Sequence, residues 1–198
     1  MRDQRVRASV AAVLLVLGLP VWAAAGPATE ALKPEIDRVL VILSNPALKG
    51  DDKSQDRRAA IRGVTNEAFD WTEMAKRSLG RHWAGRTPAE QEEFVGLFRD
   101  LIERSYISKI EKYAGEPIQY VGDTTDGNLA TVRTKIITKQ AQELPIDYRM
   151  LHAGDRWLVY DVLIEGISLV NNYRTQFDGI IKTSSYDELV KKLKARTS

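Results

Sequence analysis

Two carboxylates, Asp161 and Glu165, and two histidines, His82 and His152, are the residues here whose types suit proton transfer. A carboxylate pair does acid–base work when its surroundings push the two pKa values apart. Asp161 and Glu165 fall on one face of a strand, four residues and about 13 Å apart, too far to share a proton. Arg133, Lys135 and Arg149 fall on the same sheet surface, so the spacing predicts solvent-facing carboxylates or carboxylates paired with those cations. His82 stands between Arg81 and Trp83 in a loop, where a solvated or packed imidazole is expected. His152 ends a strand beside a turn and is expected to be exposed. The sequence has no cysteine, no Cys/His metal spacing, no Gly-rich phosphate loop and no G-x-S-x-G elbow. It therefore predicts neither a catalytic constellation nor a metal or cofactor site.

The strand that carries these carboxylates belongs to the most structured stretch of the chain, WLVYDVLIEGISLVNNYRTQF, Trp157 to Phe177. Period-two alternation puts Leu158, Tyr160, Val162 and Ile164 on one face, facing an apolar interior, and Val159, Asp161, Leu163 and Glu165 on the other. Gly166 breaks the pattern. Ser168 then caps a helix whose apolar stripe is Leu169, Tyr173, Phe177 and Ile180 or Ile181.

The preceding chain reads as helices followed by a meander. Ala28 to Ser44 predicts a helix with Pro34 near its first turn, and Ser54 to Val64 a weaker one. In FDWTEMAKRSLGRHW, Asp70 and Glu73 have capping-box spacing, Trp71, Met74, Ala75 and Leu79 share a face, and Gly80 stops the helix. Thr87-Pro88-Ala89-Glu90 is the strongest cap and opens a helix to about Tyr113, roughly 40 Å long at 1.5 Å per residue. Its stripe includes Phe94, Leu97, Phe98, Leu101, Ile102, Tyr106 and Ile110. Four strands joined by turns follow, over 117–123, 129–138, 144–152 and 157–165, and a last helix starts at Ser185. The fold class is α+β: helices on a twisted antiparallel four-stranded meander that encloses an apolar cavity.

The first 25 residues differ from the rest. Arg2, Arg5 and Arg7 precede an apolar run from Val10 to Leu19, and Ala23-Ala24-Ala25 offers small residues for cleavage after Ala25. That is the pattern of a secretory signal peptide, and the run is too short to span a membrane. The expected organisation is thus residues 1–25 as signal and 26–198 as a single domain. With three arginines and one aspartate removed, 26 basic and 26 acidic residues remain, so a neutral surface argues against nucleic acid.

Three stretches together resemble one known family. F-D-x-x-x-M-A-x-x-x-L-G-x-x-W over 69–83, the helix TPAEQEEFVGLFRDLIERSY, and D-Y-R followed by W-x-V-Y-D-V-x-I-E-G-I-S-L-V-x-N-Y-R-x-Q-F are similar to the signatures of the MlaC, or toluene-tolerance, family. The resemblance runs from about Ala28 to Leu193. It implies a nuclear-transport-factor-like (NTF2-like) sheet and a non-enzymatic periplasmic phospholipid carrier, most simply a monomer. Its implied partners are an outer-membrane lipoprotein–porin complex and the substrate-capture subunit of an inner-membrane ABC transporter, traffic that bears on outer-membrane lipid asymmetry.

On the facing arguments, the lipid-binding residues are expected on the sheet (Tyr148, Met150, Tyr160, Val162, Ile164), on the long helix (Phe98, Leu101, Ile102, Tyr106), in the first signature (Trp71, Met74, Trp83) and at Ile167. Each of these residue types equally suits a packed core. Arg174 is expected to contact a phosphate headgroup or a partner, or to form a structural salt bridge. Alternatives within and beyond lipid binding are a hopanoid-associated member of the same family, an NTF2-like enzyme using Asp161 or His82, and an adaptor without ligand.

Overall fold

The computed structural model describes residues 26–197. The expected signal peptide, residues 1–25, lies outside the described residues. No helix among the described residues is long and apolar enough to cross a membrane.

Four helices come first: α1 (Pro27–Ser44), α2 (Ser54–Ala68), α3 (Trp71–Leu79) and α4 (Pro88–Ile110). Strands β1 (Ile118–Asp126), β2 (Leu129–Ile137), β3 (Glu143–Ala153), β4 (Arg156–Ile164) and β5 (Ile167–Ser168) follow, then α5 (Leu169–Thr183) and α6 (Tyr186–Thr197). The helix starts obey local chemistry. Thr87 and Glu90 close a full capping box, with Glu90 N–H donating to Thr87 Oγ1 at 3.3 Å and Thr87 N–H donating to Glu90 Oε2 at 2.7 Å. The Asp70, Ser168 and Ser185 side chains accept from the backbone N–H three residues on. Pro34, however, lies inside α1, because Pro27 occupies the first helical turn and starts the helix earlier.

The sheet is an antiparallel meander in the order β1-β2-β3-β4-β5. It has five strands, not four, because Glu165 (φ 52°) and Gly166 (φ 79°) form a two-residue reversal that pairs Ile164 with Ile167. Two bulges matter. Val121 is the extra residue of β1 against β2, and Tyr160 is the extra residue of β4 against β3. The second overturns strict alternation in β4: Met150 pairs with Val159 and Tyr148 with Val162, so Val159, not Tyr160 or Leu158, shares a face with Val162.

The interior divides into two apolar clusters. One joins α3, α4, α5 and α6 through Met74, Leu79, Phe94, Phe98, Tyr173, Phe177 and Leu189, with Tyr160 reaching it from the bulge. The other joins α1 to the sheet through Ala28, Leu32, Ala130, Val132, Met150, Val159, Val162 and Leu169.

Candidate functional site

The cross-strand register builds one face of the sheet row by row. Ala130, Met150 and Val159 are directly opposed and buried under Ala28 and Leu32 of α1. The next row holds Val132, Tyr148 and Val162, and the next Tyr120, Thr134, Ile146, Ile164 and Ile167. Along this direction the apolar side chains become less covered. Met150 and Val132 are closed off, Ile146 and Ile164 are half-buried, and Ile167 is 63% exposed. A further row, Ile118, Ile136 and Leu144, is also only half-buried. One end of the face is therefore dry core and the other an apolar surface that opens outward.

Half-buried side chains from three directions meet the sheet-side cluster: Ile36 from α1, Tyr106 from α4, and Tyr120, Ile146, Tyr148 and Ile164 from the sheet. Tyr148 stands on the central strand between Val132 and Val162, both buried, yet keeps accessible surface. Tyr148 thus lies on the sheet face that α1 covers, at the margin of the sheet-side cluster. Burial pushes the Tyr148 phenol upward, and the Tyr120 phenol adds to this. Burial, with the Asp37 carboxylate, pushes the Tyr120 phenol up to about 12. Burial also raises Tyr106. All three stay protonated near neutral pH and present O–H groups in an apolar setting.

The residues expected to bind lipid do not all share this face. Tyr148, Met150, Val162 and Ile164 belong to the sheet-side cluster. Met74, Phe98, Leu101, Ile102 and Tyr160 lie in the helix-side cluster, with Trp71 and Trp83 packed against it. Phe98 there is enclosed by Phe94, Tyr173 and Phe177, with ring centroids 5.8 to 6.2 Å apart. Tyr106 packs against both clusters and links the long helix to the sheet side. Ile167 is at the open margin. Arg174 donates through Nε to the Arg77 carbonyl at 2.7 Å, which ends α3. Tyr120 and Ile36 pack against the sheet-side cluster without having been in the expected set; both follow apolar periodicities in the sequence, but no local signal says which helix covers which sheet face.

The proton-transfer candidates sit elsewhere. Asp161 is 2% exposed rather than solvent-facing, and it lies on the sheet face opposite Tyr148 and Val162. It accepts from Ser168 Oγ, Val170 N–H and Arg149 Nη1. His82 Nε2 is 2.9 Å from Asp178 Oδ1, a carboxylate that Lys182, His82 and Arg81 hold far below the usual range. His152 is exposed and lies beside the Trp157 ring. Two surface concavities lie among the described residues. An open groove of about 800 Å³ runs between α1 and α2, lined by Lys33, Asp37, Arg38, Val41 and Glu67 among others. A second, of about 390 Å³, reaches Leu32 and Met150 from the Trp157 end of the sheet.

A family model described as MlaC protein matches residues 33–195. The chain belongs to the MlaC family. It is 25% identical over 125 residues to the intermembrane phospholipid transport system binding protein MlaC of Haemophilus influenzae, covering 61% of this chain and 58% of that one. It is 24% identical over 102 residues to toluene tolerance protein ttg2D of Pseudomonas putida, covering 51% and 47%. The chain thus spans about half the length of the curated MlaC relatives it matches. Its fold is similar to that of a phospholipid-binding protein from Ralstonia solanacearum solved in complex with a phospholipid: TM-score 0.78, 24% identity, 88% of this chain and 97% of that chain. The MlaC-family architecture here is α+β, with an open five-stranded antiparallel sheet.

Proposed function

We propose that this chain is a periplasmic phospholipid carrier whose acyl chains lie along the sheet face between α1 and α4. The observation that carries the reading is the row of half-buried apolar side chains from Tyr148 through Ile146 and Ile164 to exposed Ile167, on a fold shared with a protein solved with phospholipid bound. Each acyl CH₂ removed from water contributes about 0.8 kcal/mol, so two chains are held strongly by apolar surface alone. Free release is then slow, and direct hand-off at a docked partner is the workable route. The partners are the outer-membrane lipoprotein–porin complex and the substrate-capture subunit of the inner-membrane ABC transporter. The chemistry is binding without a covalent step: Asp161 faces away from the cleft and is engaged in capping α5.

The exported chain comprises residues 26–198 after cleavage behind Ala25, and it works as a monomer. Lining falls to Tyr148, Ile164, Tyr106 and Ile167, with Met150 and Val162 as the packed layer beside them. Trp71, Met74, Trp83, Phe98, Leu101, Ile102 and Tyr160 support the cleft from the helix-side cluster.

Native mass spectrometry of the protein purified from periplasm without detergent tests the reading. The expected spectrum shows a protein mass beginning at Gly26 with added masses of diacyl lipids carrying mixed headgroups. Triterpenoid adducts would move the ligand to hopanoids, and a clean ligand-free mass would overturn the carrier reading.

A further inference from the structure

The start of α1 rests on a carboxylate from the sheet. Gly26, the residue just before the helix, donates its backbone N–H to Asp123 Oδ1 of β1 at 2.9 Å. Asp123 pairs with Val132 across the β1–β2 ladder, so its side chain lies on the sheet face that α1 covers. Its other oxygen, Oδ2, is shut away from solvent and accepts no hydrogen bond among the described residues. Glycine lets the two groups meet, because a Cβ at position 26 would fall onto both carboxylate oxygens. Gly26 brings no side chain to cap α1, so Asp123 is the acidic group at that helix start.

This carboxylate is short of donors. It can accept about four hydrogen bonds, and a buried polar atom left unpaired is costly. The donor that suits it is a cation with several protons. An α-ammonium is such a donor, and without a carboxylate it would be disfavoured here, where the positive end of the α1 dipole lies. Gly26 is also the residue that follows the small Ala23-Ala24-Ala25 run.

Building on the export reading, with cleavage behind Ala25, we propose that signal removal converts the Gly26–Asp123 hydrogen bond into a salt bridge that fastens α1 to β1. Water hydrolyses the Ala25–Gly26 peptide on an export peptidase. The C–N bond breaks, the water oxygen joins the Ala25 carbonyl carbon, which leaves as a carboxylate, and both water protons pass to the Gly26 nitrogen, which becomes an ammonium. No heavy atom has to enter the buried site. The nitrogen already stands 2.9 Å from Oδ1 and only gains protons, one of which serves Oδ2. The amide of the precursor supplies one neutral hydrogen bond, the exported chain a charge-assisted one. Ala28 and Leu32 follow directly and are buried on the sheet, so the salt bridge anchors the helix at the point where it seats.

Urea unfolding of four chains at pH 6.5 tests this, below the usual α-amine pKa of about 7.7–8.0. Two begin at Gly26 and two at Ala23, each start carrying either Asp123 or the Asp123→Asn change. The Ala23 start restores the Gly26 amide and moves the ammonium three residues away. With Asp123, the Gly26 start should unfold at a urea midpoint higher by roughly 0.3 M or more. With Asp123→Asn, the two starts should coincide, or the Gly26 start should be the lower, since its ammonium then meets the helix dipole alone. Equal midpoints with Asp123, or an advantage of the Gly26 start that persists in Asp123→Asn, overturn the salt bridge and leave the cleavage reading intact. The mass of the chain recovered from periplasm tests that reading separately: a start at any residue other than Gly26 overturns cleavage behind Ala25 and the proposal with it.

Discussion

The Ser168 hydroxyl donates to Asp161 Oδ2 at 2.6 Å while accepting from Asn171 N–H at 3.0 Å. Asp161 Oδ1 accepts from Val170 N–H at 3.1 Å, and Arg149 Nη1 approaches Oδ2 at 3.3 Å. A carboxylate buried in β4 thus completes the N-terminal cap of α5, where the helix dipole favours negative charge. The Glu165-Gly166 reversal makes this possible by folding Ser168 back beside Leu163, two residues from Asp161.

Asp161→Ala leaves the Val170 N–H buried without its acceptor and strips Ser168 of one partner. The expected loss is about 3 kcal/mol. Urea unfolding measures it as a lower midpoint at unchanged slope. Asp161→Asn keeps an acceptor oxygen and should lose roughly half as much. Equal losses in the two variants would show that charge, and not hydrogen-bond acceptance, is what α5 requires.

The two apolar clusters predict a separation of stability from binding. Phe98 is fully buried among aromatic rings, so Phe98→Ala should cost about 3–5 kcal/mol. Lipid bound per folded molecule should change little. Ile164 is half-buried at the cleft. Ile164→Asp should cost only about 1–2 kcal/mol, since its carboxylate can reach water, yet expel acyl chains. Parallel chemical denaturation and lipid extraction on both variants check the pair. Full lipid content in Ile164→Asp would place the tails elsewhere.

Much of this arrangement is legible in the sequence, and what is hidden has a physical reason. The Thr87, Asp70, Ser168 and Ser185 caps are local rules, satisfied by residues three apart, and all four form hydrogen bonds. The bulge at Tyr160 is not local: one extra residue inverts the facing of everything before it, and period-two patterning has no term for that. So Tyr160 moves from the cleft to the helix side, where the Arg77 guanidinium lies 4.2 Å from its ring centroid. The Arg149 partner of Asp161 follows from strand alternation and is found, but the burial of Asp161 is hidden because Ser168 and Val170 come from the hairpin end and α5, brought beside it only by the fold. Likewise Ile36 and Tyr106 each lie on a visible helical stripe, but which sheet face they flank is a tertiary fact.

Glu111, just past the end of α4, ties the start of α2 to that helix. It accepts from Arg57 Nη2 at 2.7 Å and from Arg58 Nη2 at 2.8 Å. The hydrogen bonds from Arg58 and Arg57 hold its carboxyl below the usual carboxylate range. A group depressed on folding contributes stability above its unfolded pKa, about 4.3, and loses it as pH falls through the lower folded value. Glu111→Gln should therefore be less stable by about 1–2 kcal/mol at pH 7. The gap should narrow below about pH 4 as the wild-type carboxylate becomes protonated. Unfolding midpoints of both proteins across acid pH check this, and a pH-independent difference would assign the effect to shape and not to ionisation.

Arg174 separates a structural role from a ligand role. Its Nε donates to the Arg77 carbonyl at 2.7 Å, satisfying a C-terminal group of α3 that the helix itself leaves unpaired. Its aliphatic stem passes Gly80, where an added Cβ would lie 3.5 Å from Cγ and Cδ. Gly80 has φ 58° and ψ −129°, a positive-φ conformation that glycine adopts without strain, and it ends α3 and lets the chain turn under the arginine. The two residues therefore act as one cap: glycine sets the turn and arginine fills the freed carbonyl. Arg174→Ala should lower stability by about 1 kcal/mol and Gly80→Ala by about 1–2 kcal/mol through backbone strain. Because both changes weaken the same α3 end, the double variant should lose less than the sum of the singles. A headgroup or partner contact by Arg174 makes the opposite forecast, with stability unchanged and lipid content or transfer lost. Urea midpoints for the cycle, alongside lipid extraction from Arg174→Ala, decide between them.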